Sequence, residues 1–314
     1  RRGAVSWLAC AWLALAAVAV AVAQDHPRLV FVTVMDEDGV PIRGLTAKDF
    51  AVREGGRDRE VIEVVPAAER MDVALLLDTS NALGAGLPAV KAAAAAFIDT
   101  LPPEHRVALY RFGDRATRLV DFTENRRELF EGTQRLHRAD TLPRLIDAIE
   151  LATRDLKARE ARRPVVVAIT GTGTDVSGKS AGSVIKQAAE AGVALHLVAV
   201  RATTAAGATG APATRTPPPV PERSRALSQL DAAGEGDREL TQLLQQGPEF
   251  SGGSLERVAS YEAAAGSMSR VISRLVTSYQ LTYAGAGGRR PRQLQLGVMY
   301  EGVVVRAAVA PDAK

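Results

Sequence analysis

Apolar residues follow two periodicities in the middle of the chain. Short continuous apolar runs, such as 72–78 and 164–170, are typical of strands buried on both faces of a sheet. Between these runs, apolar residues recur every three or four positions, which predicts amphipathic helices. The helical patterns cover 87–101, 124–136, 142–157, 180–191 and 223–246, and a last one carries Tyr261, Ala265, Met268, Ile272 and Leu275. Strands that alternate with helices predict an α/β fold, a doubly wound and mostly parallel sheet with helices on both faces.

The two ends of the chain have the shorter spacing of strands and turns. Candidate strands lie at 29–35, 50–53 and 61–65, and again at 279–283, 293–300 and 303–309. The last two are separated by Glu301-Gly302, a spacing that predicts a hairpin. Neither end alone has enough strands for a stable sheet. We therefore expect residues 24–68 and 279–314 to form one small β-sandwich, with residues 69–278 inserted between its two parts.

The first 23 residues have the three parts of a secretory signal. Arg1 and Arg2 precede an uncharged apolar stretch that ends in Ala21-Val22-Ala23, a small-x-small exit suited to signal peptidase. We expect cleavage there, an exported protein in the periplasm or outside the cell, and no stable membrane span afterwards. The alternative is a retained anchor, because about 20 apolar residues just span a bilayer.

Composition and charge exclude several functional classes. The net charge of +3 falls to +1 without residues 1–23, which argues against a nucleic-acid binder. The single cysteine, Cys10, lies within the predicted signal, so neither a disulfide framework nor a cysteine zinc site is expected. Between Ala202 and Pro221, eighteen of twenty residues are Ala, Thr, Gly or Pro, which predicts a flexible loop.

Oxygen-bearing side chains follow the buried strands of the middle segment. Asp78-Thr79-Ser80 ends the first of them, where open α/β sheets place their ligand sites. Thr141 opens the segment TLPRLIDAIELA, and the loop 171–175 follows the strand VVVAIT. This order resembles a von Willebrand factor A (VWFA) domain. The resemblance implies a metal-ion-dependent adhesion site built from D-x-S-x-S, a later Thr and an Asp, since a hard cation such as Mg²⁺ prefers oxygen ligands.

The resemblance extends along nearly the whole chain after the signal. VALYRFGDRATRLVDFTENRREL, AGVALHLVAV and SGGSLERVAS are similar to later strands of such domains. The flanking segments DEDGVPIRGLTAKDFAVREGG and SYQLTYAGAG are similar to those of exported VWFA-related proteins described from acidobacteria. The family resemblance implies a protein partner and a binding or adhesion role.

The implied metal site departs from the family pattern. Asp78, Ser80 and Thr141 match ligand positions, whereas Ala82 and Gly171 stand where the family has a Ser and an Asp. Two of the five ligand positions therefore lack an oxygen. Asp140 and Asp175 lie nearby in sequence as substitutes, so Mg²⁺ stays possible. The favoured interpretation is a degenerate site, in which Asp78 accepts backbone N–H bonds and Ser80 and Thr141 cap helices.

Two short motifs suggest an enzyme instead. Gly173–Ser180 fits the P-loop pattern G-x-x-x-x-G-K-S, in which backbone N–H groups and Lys179 would hold phosphates. Gly178–Gly182 fits G-x-S-x-G, but the only later histidine, His196, lies within a predicted strand. We therefore predict a non-catalytic, exported protein-binding module, with a P-loop nucleotide hydrolase as the alternative.

Overall fold

The computed structural model describes residues 26–171, 173–201, 220–286 and 293–311 of the 314-residue chain. The predicted signal at 1–23 lies outside the described residues, as does the predicted loop at 202–221 except for its last two positions, which begin a helix. Thirteen strands are described: β1 (His26–Met35), β2 (Phe50–Glu54), β3 (Arg57–Arg59), β4 (Val61–Pro66), β5 (Met71–Asp78), β6 (Arg106–Phe112), β7 (Thr117–Thr123), β8 (Arg163–Gly171), β9 (Ala194–Val200), β10 (Ser254–Val258), β11 (Tyr279–Gly285), β12 (Leu294–Val298) and β13 (Val304–Val309). Six α-helices accompany them: α1 (Leu87–Thr100), α2 (Arg126–Gln134), α3 (Leu145–Ala158), α4 (Ala181–Glu190), α5 (Val220–Ser251) and α6 (Ala264–Val276).

The centre of the protein is a six-stranded sheet in the order β10-β9-β8-β5-β6-β7. Neighbouring strands are parallel except for β7, which runs antiparallel to β6. Every residue of β5 and of β8 is buried, as their continuous apolar runs predict. The structure thus confirms the mostly parallel α/β sheet.

Helices cover both faces of this sheet. Leu75 on β5 packs in the layer that contains Phe97 of α1 and Met268 of α6. Leu76, the next residue, points to the opposite face and joins the layer of α3, α4 and α5. The alternation follows from the period of two along a strand. Among the described residues, no helix is both long and apolar enough to cross a membrane.

The terminal segments combine into two further sheets around a third apolar core. One sheet has the order β13-β1-β11-β4 and the other β12-β2-β3. This arrangement confirms a small β-sandwich built from both ends of the chain. The predicted hairpin at Glu301-Gly302 is wrong, because β12 pairs with β2 and β13 pairs with β1. The turn passes from one sheet to the other, which a two-residue spacing does not reveal.

The sandwich packs directly against the base of the central sheet. A Cβ on Gly252 would lie 2.2 Å from the carbonyl carbon of Ala307 in β13. Arg163, at the start of β8, donates to the Leu275 carbonyl oxygen at 2.6 Å, and its guanidinium lies 5.0 Å from the Phe31 ring centroid in β1. Burial lowers the pKa of Arg163 to about 10. Backbone contact and a buried guanidinium therefore hold the two parts of the protein together.

Candidate functional site

Asp78 lies at the carboxyl end of β5, at the rim formed where the parallel strands end. Its side chain is fully buried. Oδ1 accepts from the Ser80 N–H at 2.8 Å and Oδ2 accepts from the Gly171 N–H at 3.0 Å. Burial raises the pKa of Asp78, and the hydrogen bonds from Ser80 and Gly171 oppose this shift. The carboxylate therefore joins the end of β5 to the end of β8 through backbone donors.

The loop that carries Thr141 lies beside the loop that carries Ser80. The Asn81 N–H donates to the Thr141 carbonyl oxygen at 2.8 Å, and the Ala139 N–H donates to the Thr79 carbonyl oxygen at 2.6 Å. The structure thus brings the segments of all three matching residues together, as their sequence order implies. Ser80 Oγ accepts from the Ala82 N–H at 3.3 Å and caps a short 3₁₀ turn.

The expectation that Thr141 caps a helix is wrong. Helix α3 begins at Leu145, four residues later, and the Leu145 N–H donates to Asp175 Oδ2 at 2.7 Å. Asp175 caps α3 in its place. Thr141 Oγ1 is buried with no hydrogen-bond partner among the described residues.

Tyr261 lies across the two positions that lack ligand atoms. The sequence pattern assigns Tyr261 to the last helix, but α6 begins only at Ala264 and Tyr261 lies in the preceding loop. Its Oη is 3.5 Å from the Ala82 carbonyl oxygen. A Cβ on Gly171 would lie 2.7 Å from this Oη, and a Cβ on Gly86 would lie 2.3 Å from Cδ2 of the ring. The phenol fits because Ala82, Gly86 and Gly171 are small.

The environment of the phenol extends its protonated state to higher pH than that of an ordinary tyrosine. Burial raises the pKa of Tyr261, and the nearby negative charge of Asp78 raises it further. The periodicity of the sequence places Tyr261 on the buried face of a helix, so no local signal associates it with the site. Only the small residues at 82 and 171 hint that a larger side chain fills the space.

The rim offers few uncommitted oxygen atoms to a divalent cation, of which Thr141 Oγ1 is one. Both oxygens of Asp78 accept backbone N–H bonds, and the Tyr261 ring lies against the positions where two ligands are missing. The proposed substitute Asp175 accepts from the N–H groups of Leu145 and Ser177, and Asp140 is exposed. Within the described part of the chain, no group of three or more His, Cys, Asp or Glu side chains has the arrangement of a metal site.

Acidic side chains take the donors that a P-loop would offer to phosphate. The Gly178 N–H donates to both oxygens of Asp147 at 3.0 and 3.1 Å. The Ala181 N–H, at the start of α4, donates to the Glu239 carboxylate. Lys179 is exposed, and Ser180 caps α4 by accepting from the Ser183 N–H at 3.4 Å. A phosphate there would meet two carboxylates, which disfavours the nucleotide alternative.

His196 is a core residue. It is buried in the middle of β9, and its Nδ1 lies 2.9 Å from Ser254 Oγ. Burial lowers the pKa of His196 to about 3, so the ring is neutral. Its partner is Ser254 and not Ser180, the serine of the G-x-S-x-G motif. The geometry therefore provides no histidine base for that serine.

Comparison with known proteins finds one family model that matches part of the central fold. Residues 73–174 match the family model for the von Willebrand factor type A domain. No curated protein matches the chain in sequence.

Several solved structures resemble the chain at low identity. BatB, a conserved hypothetical protein from Bacteroides thetaiotaomicron, is 19% identical; the match covers 65% of this chain and 98% of that one, with a TM-score of 0.46. A von Willebrand factor type A protein from Catenulispora acidiphila is 11% identical over 92% of this chain and 75% of that one, with a TM-score of 0.47. Proximal thread matrix protein 1 from the mussel byssus, with zinc in its metal-ion-dependent adhesion site, is 16% identical over 74% of this chain and 50% of that one, with a TM-score of 0.46.

Proposed function

We propose that the von Willebrand factor type A domain in this chain is a non-catalytic module that binds a protein partner at its rim without a metal ion. The observation that carries the proposal is the Tyr261 side chain, which lies across Ala82 and Gly171 where two family ligands are absent. The phenol makes the rim a fixed surface of side chains and backbone.

The rim has exposed side chains on loops that hydrogen-bond to one another. Leu142 is 43% exposed, beside the segment that hydrogen-bonds to the Asp78–Ser80 loop. Arg138 is exposed and its Nη1 donates to the Gly84 carbonyl oxygen at 3.3 Å. An exposed leucine and an exposed arginine in the same loop suit protein recognition, because interfaces combine apolar contact with charged rims. Fixed loops also lower the entropy cost of binding.

The groups that catalysis would need are engaged in structural contacts. Asp78 and Asp175 accept backbone N–H bonds, and His196 is buried in β9. These contacts support a binding role over the nucleotide hydrolase. Residues 69–278 are the proposed extent of the domain, inserted in a sandwich formed by 24–68 and 279–314. Export to the periplasm or the cell exterior follows from the signal pattern at 1–23.

Metal independence is tested by thermal unfolding of the chain in Mg²⁺, in Mn²⁺ and in chelator. We expect the same midpoint in all three, because the rim lacks two ligand oxygens. A stabilisation by either metal that disappears in Asp78→Asn would contradict the proposal. Binding of a fluorescent ATP analogue that Lys179→Ala abolishes would instead support the hydrolase.

Partner binding at the rim is tested by photo-crosslinking in the native envelope fraction. A photoreactive residue is placed at Leu142, and a control is placed at Asp99, an exposed residue near the end of α1. We expect a discrete adduct from position 142 only, with equal yield in Mg²⁺ and in chelator. Equal adducts from both positions, no adduct from position 142, or an adduct at 142 that needs the metal would each contradict the proposal.

A further inference from the structure

Four large apolar side chains are exposed on neighbouring segments at one end of the sandwich. Val40 is 57% exposed, Met299 75%, Tyr300 52% and Val304 39%. They are half of the eight large apolar side chains that are exposed in the described part of the chain. Clustered apolar exposure of this kind marks interaction sites, whereas scattered single residues do not.

Strand pairing and hydrogen bonds bring the segments that carry these side chains to the same end of the sandwich. Met35, the last residue of β1, pairs with Val304 and also bridges to Pro41, next to Val40. The Met299 N–H donates to the Asp49 carbonyl oxygen at 2.9 Å, and Tyr300 Oη lies 3.2 Å from Asp49 Oδ1. The surface is therefore organised before any partner arrives.

Carboxylates surround the apolar side chains. Asp36, Glu37 and Asp38 lie in the turn after β1, Glu301 lies in the turn between β12 and β13, and Asp49 contacts Tyr300. None of the five is within ion-pair distance of a basic side chain among the described residues.

The basic residues nearby do not form ion pairs with these carboxylates. Arg274 of α6 reaches the Gly39 carbonyl oxygen at 3.4 Å, but its charge is paired with Glu256. Arg43 and Lys48 are exposed, and Arg306 lies two positions after Val304 on β13; none of the three forms an ion pair with the five carboxylates. The segments that carry the exposed apolar side chains thus have more carboxylates than basic side chains.

We propose that this turn patch, formed by Val40, Met299, Tyr300 and Val304 within the five carboxylates, binds a basic segment of a partner protein that also carries apolar side chains. The apolar side chains supply the buried contact, and the carboxylates select lysine or arginine and steer the approach. The patch borders the last turn of α6, where Arg274 contacts Gly39. The rim lies at the other end of this helix, where Tyr261 precedes the first turn. The patch is therefore a second docking surface, and it does not depend on the function proposed for the rim.

The four methionines of the chain make the patch directly observable. Met35, Met71 and Met268 are buried, and Met299 is exposed on the patch. The experiment titrates methyl-¹³C-methionine protein with a twelve-residue lysine/leucine peptide and follows the four methyl resonances by NMR. We expect a saturable shift of Met299 only, which weakens as salt is added. Lysine/serine and glutamate/leucine peptides should bind at least about tenfold more weakly in the same titration. The first lacks the apolar side chains and the second lacks the positive charges.

Matched charge variants then locate the binding. Glu37→Gln/Asp38→Asn/Glu301→Gln removes three patch carboxylates and should weaken lysine/leucine peptide binding about tenfold or more. The control Asp99→Asn/Asp237→Asn/Glu249→Gln removes three exposed carboxylates elsewhere and should leave it unchanged. Equal affinity in both triple variants, or no shift of Met299, would overturn the proposal. A Met299 shift that depends on protein concentration without peptide would also overturn it, by showing that a second copy covers the patch.

Discussion

At the residue scale, side-chain volume determines which side chain fills the candidate site. Ala82 and Gly171 lack ligand atoms, and the same smallness admits the Tyr261 phenol between them. The ring has little room to move, because Gly86 lies under it at a distance that would not accept a Cβ. A methyl group added at position 171 would therefore meet the phenol oxygen of a side chain that is held in place.

We expect Gly171→Ala to lower the free energy of unfolding by about 1–3 kcal/mol, because it overpacks the site against Tyr261 Oη. Tyr261→Phe removes that oxygen and its long 3.5 Å contact, so it should cost less than about 1 kcal/mol. In the Tyr261→Phe background, Gly171→Ala should cost at least about 1 kcal/mol less than in the native chain. Urea unfolding of the four proteins measures the coupling, and purely additive costs would contradict the packing explanation.

At the element scale, a buried carboxylate joins the two sheets of the sandwich. Glu54, at the end of β2, lies 3.7 Å from Arg28 of β1 and 3.5 Å from Arg59 of β3. It also accepts from the Ala286 N–H at 2.7 Å, just after β11. Strand β3 itself was not predicted, since Arg57–Arg59 is charged throughout and carries no apolar alternation. The paired charges around Glu54 give these three residues their place beside β2.

Glu54→Ala should destabilise the protein by about 3 kcal/mol, because it removes the carboxylate that faces two arginines at a buried position. The control is Asp58→Asn, in the exposed Arg53–Asp58 pair of the same β2–β3 hairpin, where the side chains are 56% and 95% exposed. Such exposed pairs contribute at most about 1 kcal/mol. Chemical denaturation compares the two variants, and similar losses would show that burial does not decide the value of the Glu54 contacts.

At the scale of the whole molecule, close backbone contact joins the sandwich to the α/β sheet. Gly252 has φ of +78°, and its Cα lies against the Ala307 backbone of β13. Gly192, before β9, approaches the Val309 carbonyl oxygen in the same way. Residues far apart in sequence therefore meet without side chains between them.

Gly252→Ala tests this contact against a matched control. Gly56 has the same φ of +78° but no atom within 4 Å of its added Cβ. Gly56→Ala should cost about 1 kcal/mol for the backbone conformation alone. Gly252→Ala should cost at least about 2 kcal/mol more, because its methyl group would overlap the Ala307 carbonyl. If the two variants lose the same free energy of unfolding, the Ala307 backbone gives way to the added methyl group. The contact between the sandwich and the α/β sheet would then not be tight at this point.

The sequence alone determined the α/β architecture and the small residues at positions 82 and 171. Apolar periodicity is local, so the runs at 72–78 and 164–170 predicted buried strands. The residue types at 82 and 171 can be read from the sequence directly. Tertiary structure decided what fills the site, because Tyr261 reaches Ala82 from 179 positions away. It also separated β12 from β13, since each strand pairs with a partner from the other end of the chain. Contacts between such distant residues depend on how the elements pack, and no local pattern records them.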